Sequence, residues 1–319
     1  MLNKRFWSAL VCLLALPFIH TRVIALDKKE TFALSHYIMG VIYEDLGDID
    51  KAIEEYKKAI KSDASTAAVH LSLASGYIKK NDVPKAIEEL KVATTLDPEA
   101  IEPHAILAIL YSSVNRLDLA TAEYETALKN ASKLEPKNVE IYKGLGAIYL
   151  QQKKLKEAEN TYHLITELAP NDAQAHFYLG CIYGELKNNS LAEKELNRAI
   201  TLKPDYHEAL NYLGYTYVEE NRNLDRAQSL IKKALELEPN NGAYIDSLGW
   251  LYFKKGRVKE ALKELEKAAA LLDDPVIFDH LGDVYLKVKD PQKAKMSWEK
   301  SLKLDPNQDK VKSKLGKVK

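Results

Sequence analysis

A tyrosine recurs eight times along the chain at nearly constant spacing, and this periodicity limits the architecture more than any other feature. The residues are Tyr43, Tyr77, Tyr111, Tyr149, Tyr183, Tyr217, Tyr252 and Tyr285, separated by 34, 34, 38, 34, 34, 35 and 33 positions. Three residues before each stands a small one: Gly40, Ala74, Ala108, Gly146, Gly180, Gly214, Gly249 or Gly282. An alanine follows each: Ala52, Ala86, Ala120, Ala158, Ala192, Ala227, Ala261 or Ala294. Pro98, Pro136, Pro170, Pro204, Pro239 and Pro306 close six of the units. Such self-similarity specifies a supersecondary unit that buries its apolar face only by stacking on its neighbours.

Each unit reads as two helices. In the first, Met39, Gly40 and Tyr43 share one helical face, and Ile49, Ala52, Ile53, Tyr56, Ala59 and Ile60 recur at helical spacing. Small residues at the eighth and twentieth positions let two antiparallel helices approach closely, and the tyrosine fills the space beside them. Asp48, Asp82 and Asp290 stand where the second helix needs an N-cap. Pro84 and Pro291 fall in its first turn, where a missing N–H costs little. The closing proline forces the residue before it out of the α region and ends the unit. Abundant Leu, Ala, Glu and Lys with sparse Gly and Pro agree with an all-α fold.

The units phase as 33–66, 67–100, 101–138, 139–172, 173–206, 207–241, 242–274 and 275–308. The third carries four extra residues near Asn130–Leu134, the sixth gains one near Asn223, and the seventh loses one before Pro275. These length changes are expected in turns, where loop length is cheap, and the eight units are expected to share one continuous core. A basic tail, Asp309–Lys319, is expected to form a short polar helix over the last unit.

These residues resemble the tetratricopeptide repeat family, whose unit has a Leu-Gly, a Tyr, a middle Ala, an aromatic and a late Pro. The resemblance covers Ala33–Gln308. It implies a right-handed α-solenoid of eight stacked helix-turn-helix repeats that binds protein or peptide partners on a concave face and needs no cofactor. Positions two, five, nine, twelve and thirteen of each first helix would line that face. They place Tyr37, Val41, Leu71, Ile78 and Phe177 there, with Ile109 and Leu150, then Asn211, Tyr215, Val218, Asp246, Trp250, Phe253, Asp279 and Asp283. Aromatic anchors rimmed by polar groups describe a binding hot spot, so Tyr215, Trp250 and Phe253 are expected to grip a partner segment, with packing against the neighbouring repeat as the alternative. Chaperone-binding members hold a terminal carboxylate with Lys at the fifth and Asn at the ninth position. Here only Lys143 occupies the fifth position, with Ala147 at the ninth, so that clamp is missing. The segments Leu210–Tyr215, Tyr244–Trp250 and Asp279–Asp283, with Trp298, look like a bacterial subfamily of envelope adaptors that present substrates to proteases or support envelope assembly.

Motifs of chemistry are missing. The chain has no Walker loop, G-x-G-x-x-G, H-E-x-x-H, C-x-x-C or G-x-S-x-G sequence. His36, His70, His104 and His176 share the fourth position of their repeats, but successive repeats lie a helix layer apart, roughly 10 Å, against ligand bonds of about 2 Å. They are read as packing residues, with no metal expected. Asp246, Ser247 and His280 could be imagined as a triad, yet Ser247 and His280 occupy the same position of adjacent repeats and no oxyanion loop accompanies them. Cys181 lacks a nearby His or ligand spacing and reads as a small packing residue.

Residues 1–25 read as a secretory signal: Lys4 and Arg5, an apolar run over 8–19, and Val23 and Ala25 placed for cleavage after Ala25. An uncleaved N-terminal anchor is the alternative. Residues 26–32 form a short lead-in. Basic and acidic residues balance at 46 each, so no overall field gathers nucleic acid, and loss of the leader leaves three more acids than bases. The chain is therefore expected to be a non-catalytic scaffold of the bacterial cell envelope, periplasmic or secreted. The alternative is a specificity or tethering subunit of an envelope protease or transferase.

Overall fold

The computed structural model describes residues 28–317, all in helices and the turns between them; the signal and its cleavage point lie outside these residues. The chain divides after Asn130 into two compact units. The first holds α1 (Lys28–Asp45), α2 (Ile49–Ser62), α3 (Ala67–Lys79), α4 (Val83–Leu96), α5 (Ile101–Ser113) and most of α6 (Leu117–Leu134). The second holds α7 (Val139–Gln151), α8 (Leu155–Leu168), α9 (Ala173–Glu185), α10 (Asn189–Leu202), α11 (His207–Glu219), α12 (Leu224–Leu237), α13 (Gly242–Lys254), α14 (Val258–Leu271), α15 (Pro275–Lys287), α16 (Pro291–Leu304) and α17 (Asp309–Lys317). Odd-numbered helices to α15 are the first of each pair (A helices), and even-numbered ones the second (B helices). Among the described residues no helix is long and apolar enough to cross a membrane.

The small residue at the eighth position is the seat of the A–B contact. A Cβ built on Gly40 would lie 2.5 Å from Cδ1 of Tyr56, and one on Gly282 would lie 2.6 Å from Cδ1 of Trp298. Gly180, Gly214 and Gly249 receive Leu196, Ile231 and Leu265 in the same way, at 2.6, 2.7 and 2.7 Å. A glycine inside a helix costs about 1 kcal/mol of propensity, whereas burying a large apolar side chain contributes about 1.5–3 kcal/mol. The close approach wins.

Tyrosine serves better than phenylalanine in the ladder where the packed ring carries its hydroxyl to a carboxylate. Tyr217 donates to Glu193 Oε1 at 2.6 Å and Tyr285 to Glu266 Oε1 at 2.7 Å. A basic side chain of the following turn or B helix covers the ring face: Lys85 over Tyr77 at 5.4 Å, Arg222 over Tyr217 at 4.6 Å, and Arg257 over Tyr252 at 4.4 Å.

One residue in each A–B turn adopts the left-handed conformation: Gly47, Asn81, Asn115, Lys153, Lys187, Asn221, Gly256 and Lys289. The extra residue of the sixth repeat is absorbed by a second one, Asn223 at φ 48°; asparagine tolerates this region better than most residues. Asp48, Asp82 and Asp290 then cap the B helices by accepting from the amides of Lys51, Lys85 and Lys293.

One feature differs from the sequence expectation. The four extra residues of the third repeat do not lengthen a turn: α6 runs for 18 residues where the other B helices run for 14. Four residues are close to one helical turn, so the helix extends with its apolar face nearly in register. The first A helix begins ahead of its repeat, at Lys28. At the other end α17 seats Val311 against Ala294 and Trp298.

Gly282→Ala is expected to destabilise the second unit by about 1–3 kcal/mol, because the rigid indole of Trp298 must move to admit a methyl group. The denaturant midpoint reports this, and the exposed Gly316, with no atom within 4 Å of its built Cβ, supplies the control.

Candidate functional site

The inner-face positions of the A helices do not form a uniformly open wall. In the first unit Tyr37 is half-buried with its ring 6.0 Å from that of Tyr56, and Leu71 packs against the core. Val41 and Ile78 stay exposed. In the second unit Phe177 sits among Tyr178, Tyr206 and Tyr212, with ring centroids 5.5, 5.0 and 6.4 Å away.

The structure brings the remaining second-unit residues together around His280, which the sequence reading set aside. Trp250 stacks with two rings, Phe253 at 5.0 Å and His280 at 4.0 Å, both within 13° of parallel. Its Nε1 donates to Glu219 Oε1 at 2.6 Å. His280 Nδ1 lies 3.0 Å from Asp246 Oδ1, and both side chains are buried. Tyr215 approaches the other side, 6.3 Å between ring centroids.

Trp250, Asp246 and Val218 are therefore not open groove residues. Trp250 is only 7% exposed and Val218 is fully buried in the core. The physical reason is a neighbour one repeat onward: an imidazole at the sixth position of α15 is flat enough to stack on the indole and polar enough to hold the buried carboxylate. Asp279 and Asp283 are likewise occupied, because Lys314 of α17 donates to them at 2.6 and 2.8 Å. Burial pushes the Asp283 carboxyl above its usual range, and Lys314 only partly offsets this. Burial pulls the Lys314 ammonium down, yet its bonds to Asp279 and Asp283 prevail and hold it above its ordinary value.

What remains open lies beside the stack. A pocket of about 220 Å³ is lined by Asn211, Tyr212 and Tyr215 of α11, Ala243, Asp246 and Ser247 of α13, and Asp274, Val276 and Ile277 at the start of α15. Asn211 Oδ1 is buried there with no hydrogen-bond partner. Burial raises the Tyr215 phenol, and Glu219, Asp246, Asp279 and Asp274 add to the effect. The pocket thus has largely apolar walls, a buried unpaired acceptor beneath them and acidic side chains nearby. Tyr212, Ser247 and Asp274 lie outside the positions taken as concave; Tyr212 and Ser247 share the sixth position with His280, which was the available signal.

The chemistry of a nucleophile is missing from this cluster. Ser247 Oγ donates to the Ala243 carbonyl at 3.0 Å, and the face of His280 is covered by Trp250. The Cys181 thiol is pushed up to about 12 by burial, which keeps it protonated and unreactive. The histidines of the fourth position join A helix to B helix within a repeat: His70, His104 and His176 pair with Glu89, Glu123 and Glu195 at 2.7, 2.6 and 2.6 Å, and His36 pairs with Glu55. Among the described residues no cluster could hold a metal ion. Lys143 is bound to Asp172 at 2.8 Å and to Glu140 at 3.1 Å.

Family models described as tetratricopeptide repeat match residues 33–66, 118–177, 173–206, 216–274 and 277–308. No curated relative matches the sequence. Among solved structures, a tetratricopeptide repeat protein from Parabacteroides merdae superposes with a TM-score of 0.59 at 18% identity, over 78% of this chain and 97% of that one. The APC/C hetero-tetramer Cut9–Hcn1 gives the same TM-score and identity over 93% of this chain, which spans 57% of its counterpart. At such identities these likenesses concern the fold alone.

Trp250→Ala is expected to behave as a core variant, destabilising the second unit by about 3–5 kcal/mol and freeing the His280–Asp246 pair to solvent. Thermal unfolding followed by circular dichroism checks this; an unchanged melting temperature would show that the indole stack carries no stability.

Proposed function

The chain belongs to the tetratricopeptide repeat family, and from that premise we propose that it is a non-catalytic scaffold whose second unit seats a partner's segment in the pocket between α11, α13 and α15. The observation that carries this reading is the pocket walled by Tyr212, Val276 and Ile277 with Asp274 at its mouth, beneath which Asn211 Oδ1 is a buried acceptor left unpaired. Leaving such a group unsatisfied costs about 1–3 kcal/mol, and a guest that covers Tyr212, Val276 and Ile277 recovers that cost when the Asn211 amide turns toward the pocket to accept from it. With Asp274 at its mouth, the fitting guest carries N–H donors or a basic side chain beside an apolar one. A terminal carboxylate would be repelled.

The setting proposed for this scaffold is the bacterial envelope, periplasmic or secreted. The support is the basic, apolar and small-residue succession of residues 1–25. Expression in a bacterium followed by N-terminal sequencing is expected to find a chain starting at Leu26 in the periplasmic fraction. An intact Met1 in the membrane fraction would favour retention of the segment as an anchor instead.

The docking itself is tested with a photo-crosslinking residue at Val276, which is 43% exposed at the pocket rim, and a second at Lys232 on the outer side of α12 as reference. Crosslinked partner is expected from position 276 and not from 232, and Asn211→Leu is expected to reduce its yield severalfold. Equal yields from both positions would overturn the pocket as the docking site.

A further inference from the structure

The A helix that begins the described array has an apolar outer face. In later repeats the sixth and tenth positions of an A helix pack on the preceding pair: a Cβ on Gly76 would meet Ile53 Cγ1 at 2.9 Å, and the ring of Tyr178 lies 4.9 Å from that of Tyr162. In α1 these positions are Ile38 and Ile42, 49% and 44% exposed, and Phe32, Leu34, Met39 and Leu46 are exposed around them. End repeats of stacked arrays ordinarily carry a polar outer face, which keeps the array soluble. An apolar stripe of this width marks an interaction surface.

The charges at its ends say which partner fits. Lys28 opens α1 and Asp45 closes it, and neither has a partner among the described residues, whereas Glu44 is turned inward to Tyr56 and Lys79 at 2.6 and 2.7 Å. Lys28 and Asp45 stand 17 residues apart, about 25 Å along a helix, and bracket the apolar stripe. The opening turn, Lys28 and Lys29 beside Glu30, keeps a net positive charge while Asp45 ends the helix in an acid, so the helix complements its own reversed copy. We propose that α1 docks antiparallel on α1 of a second copy of this chain in the register that sets Lys28 of each copy opposite Asp45 of the other, which brings Ile38 of both copies beside the two-fold axis and Ile42 of each opposite Thr31 of the other. Such an interface is isologous and closes at two copies. The apolar stripe holds it together, while the exposed charge pairs select the antiparallel direction.

Sedimentation velocity of the purified chain across a micromolar concentration series is expected to show a monomer–dimer equilibrium. Ile38→Glu with Ile42→Glu is expected to leave only monomer with the helical spectrum retained. Lys28→Glu and Asp45→Lys are each expected to weaken dimerisation about tenfold at low salt, and the two together to restore it. A wild-type chain that stays monomeric would overturn the proposal, whether a segment before Lys28, a lipid surface or another protein covers the stripe. A dimer that survives the double glutamate change would overturn it too. If the charge swap fails to restore association, the antiparallel pairing is wrong.

Discussion

A side chain of each B helix inserts over the small eighth residue of its A helix, and the rest of the architecture follows from that contact. With Tyr56 against Gly40, or Trp298 against Gly282, the two helices are held at a separation no larger residue permits. The B helix must then start at a set point after the A helix ends. One left-handed residue in each turn, from Gly47 to Lys289, provides the reversal. A pair so formed is thin. It leaves Tyr77 or Tyr217 with one face for its own repeat and one for a basic side chain of the following turn or B helix.

The inner face of the second unit shows what stacking does to residues that look available. Trp250 occupies a position that would suit a binding anchor, yet the next repeat supplies His280 to stack on it and to hold Asp246. Asp279 and Asp283 would present charge to a guest, yet burial makes two adjacent carboxylates costly, and Lys314 neutralises them from α17. The open pocket is displaced toward the starts of α11, α13 and α15, where Asn211 keeps an unpaired acceptor. Its character is apolar with a negative rim, which suits a donor-rich segment.

Much of the fold was legible because a repeat writes its geometry into covalent spacing. The Gly/Ala-to-Tyr interval, the Asp at the start of B helices and the closing Pro all report local backbone requirements. Tyr37, Leu71 and Phe177 were placed on the inner face by position, and structurally they are half-buried, shared between wall and core. The length change near Asn130–Leu134 was visible, but spacing cannot tell an added loop from an added helical turn, and four residues suit the second.

The sequence by itself determined the helix pairs, their order and the absence of recognisable catalytic motifs, because each depends on residues within one 34-residue period. Tertiary structure alone decided which inner-face residues are open. That choice depends on contacts between residues about one repeat apart, such as Trp250 with Glu219, His280 with Asp246 and Lys314 with Asp283. Side-chain stacking and charge neutralisation across such distances leave no mark in local periodicity, since the partner's position is set by helix packing and not by the chain.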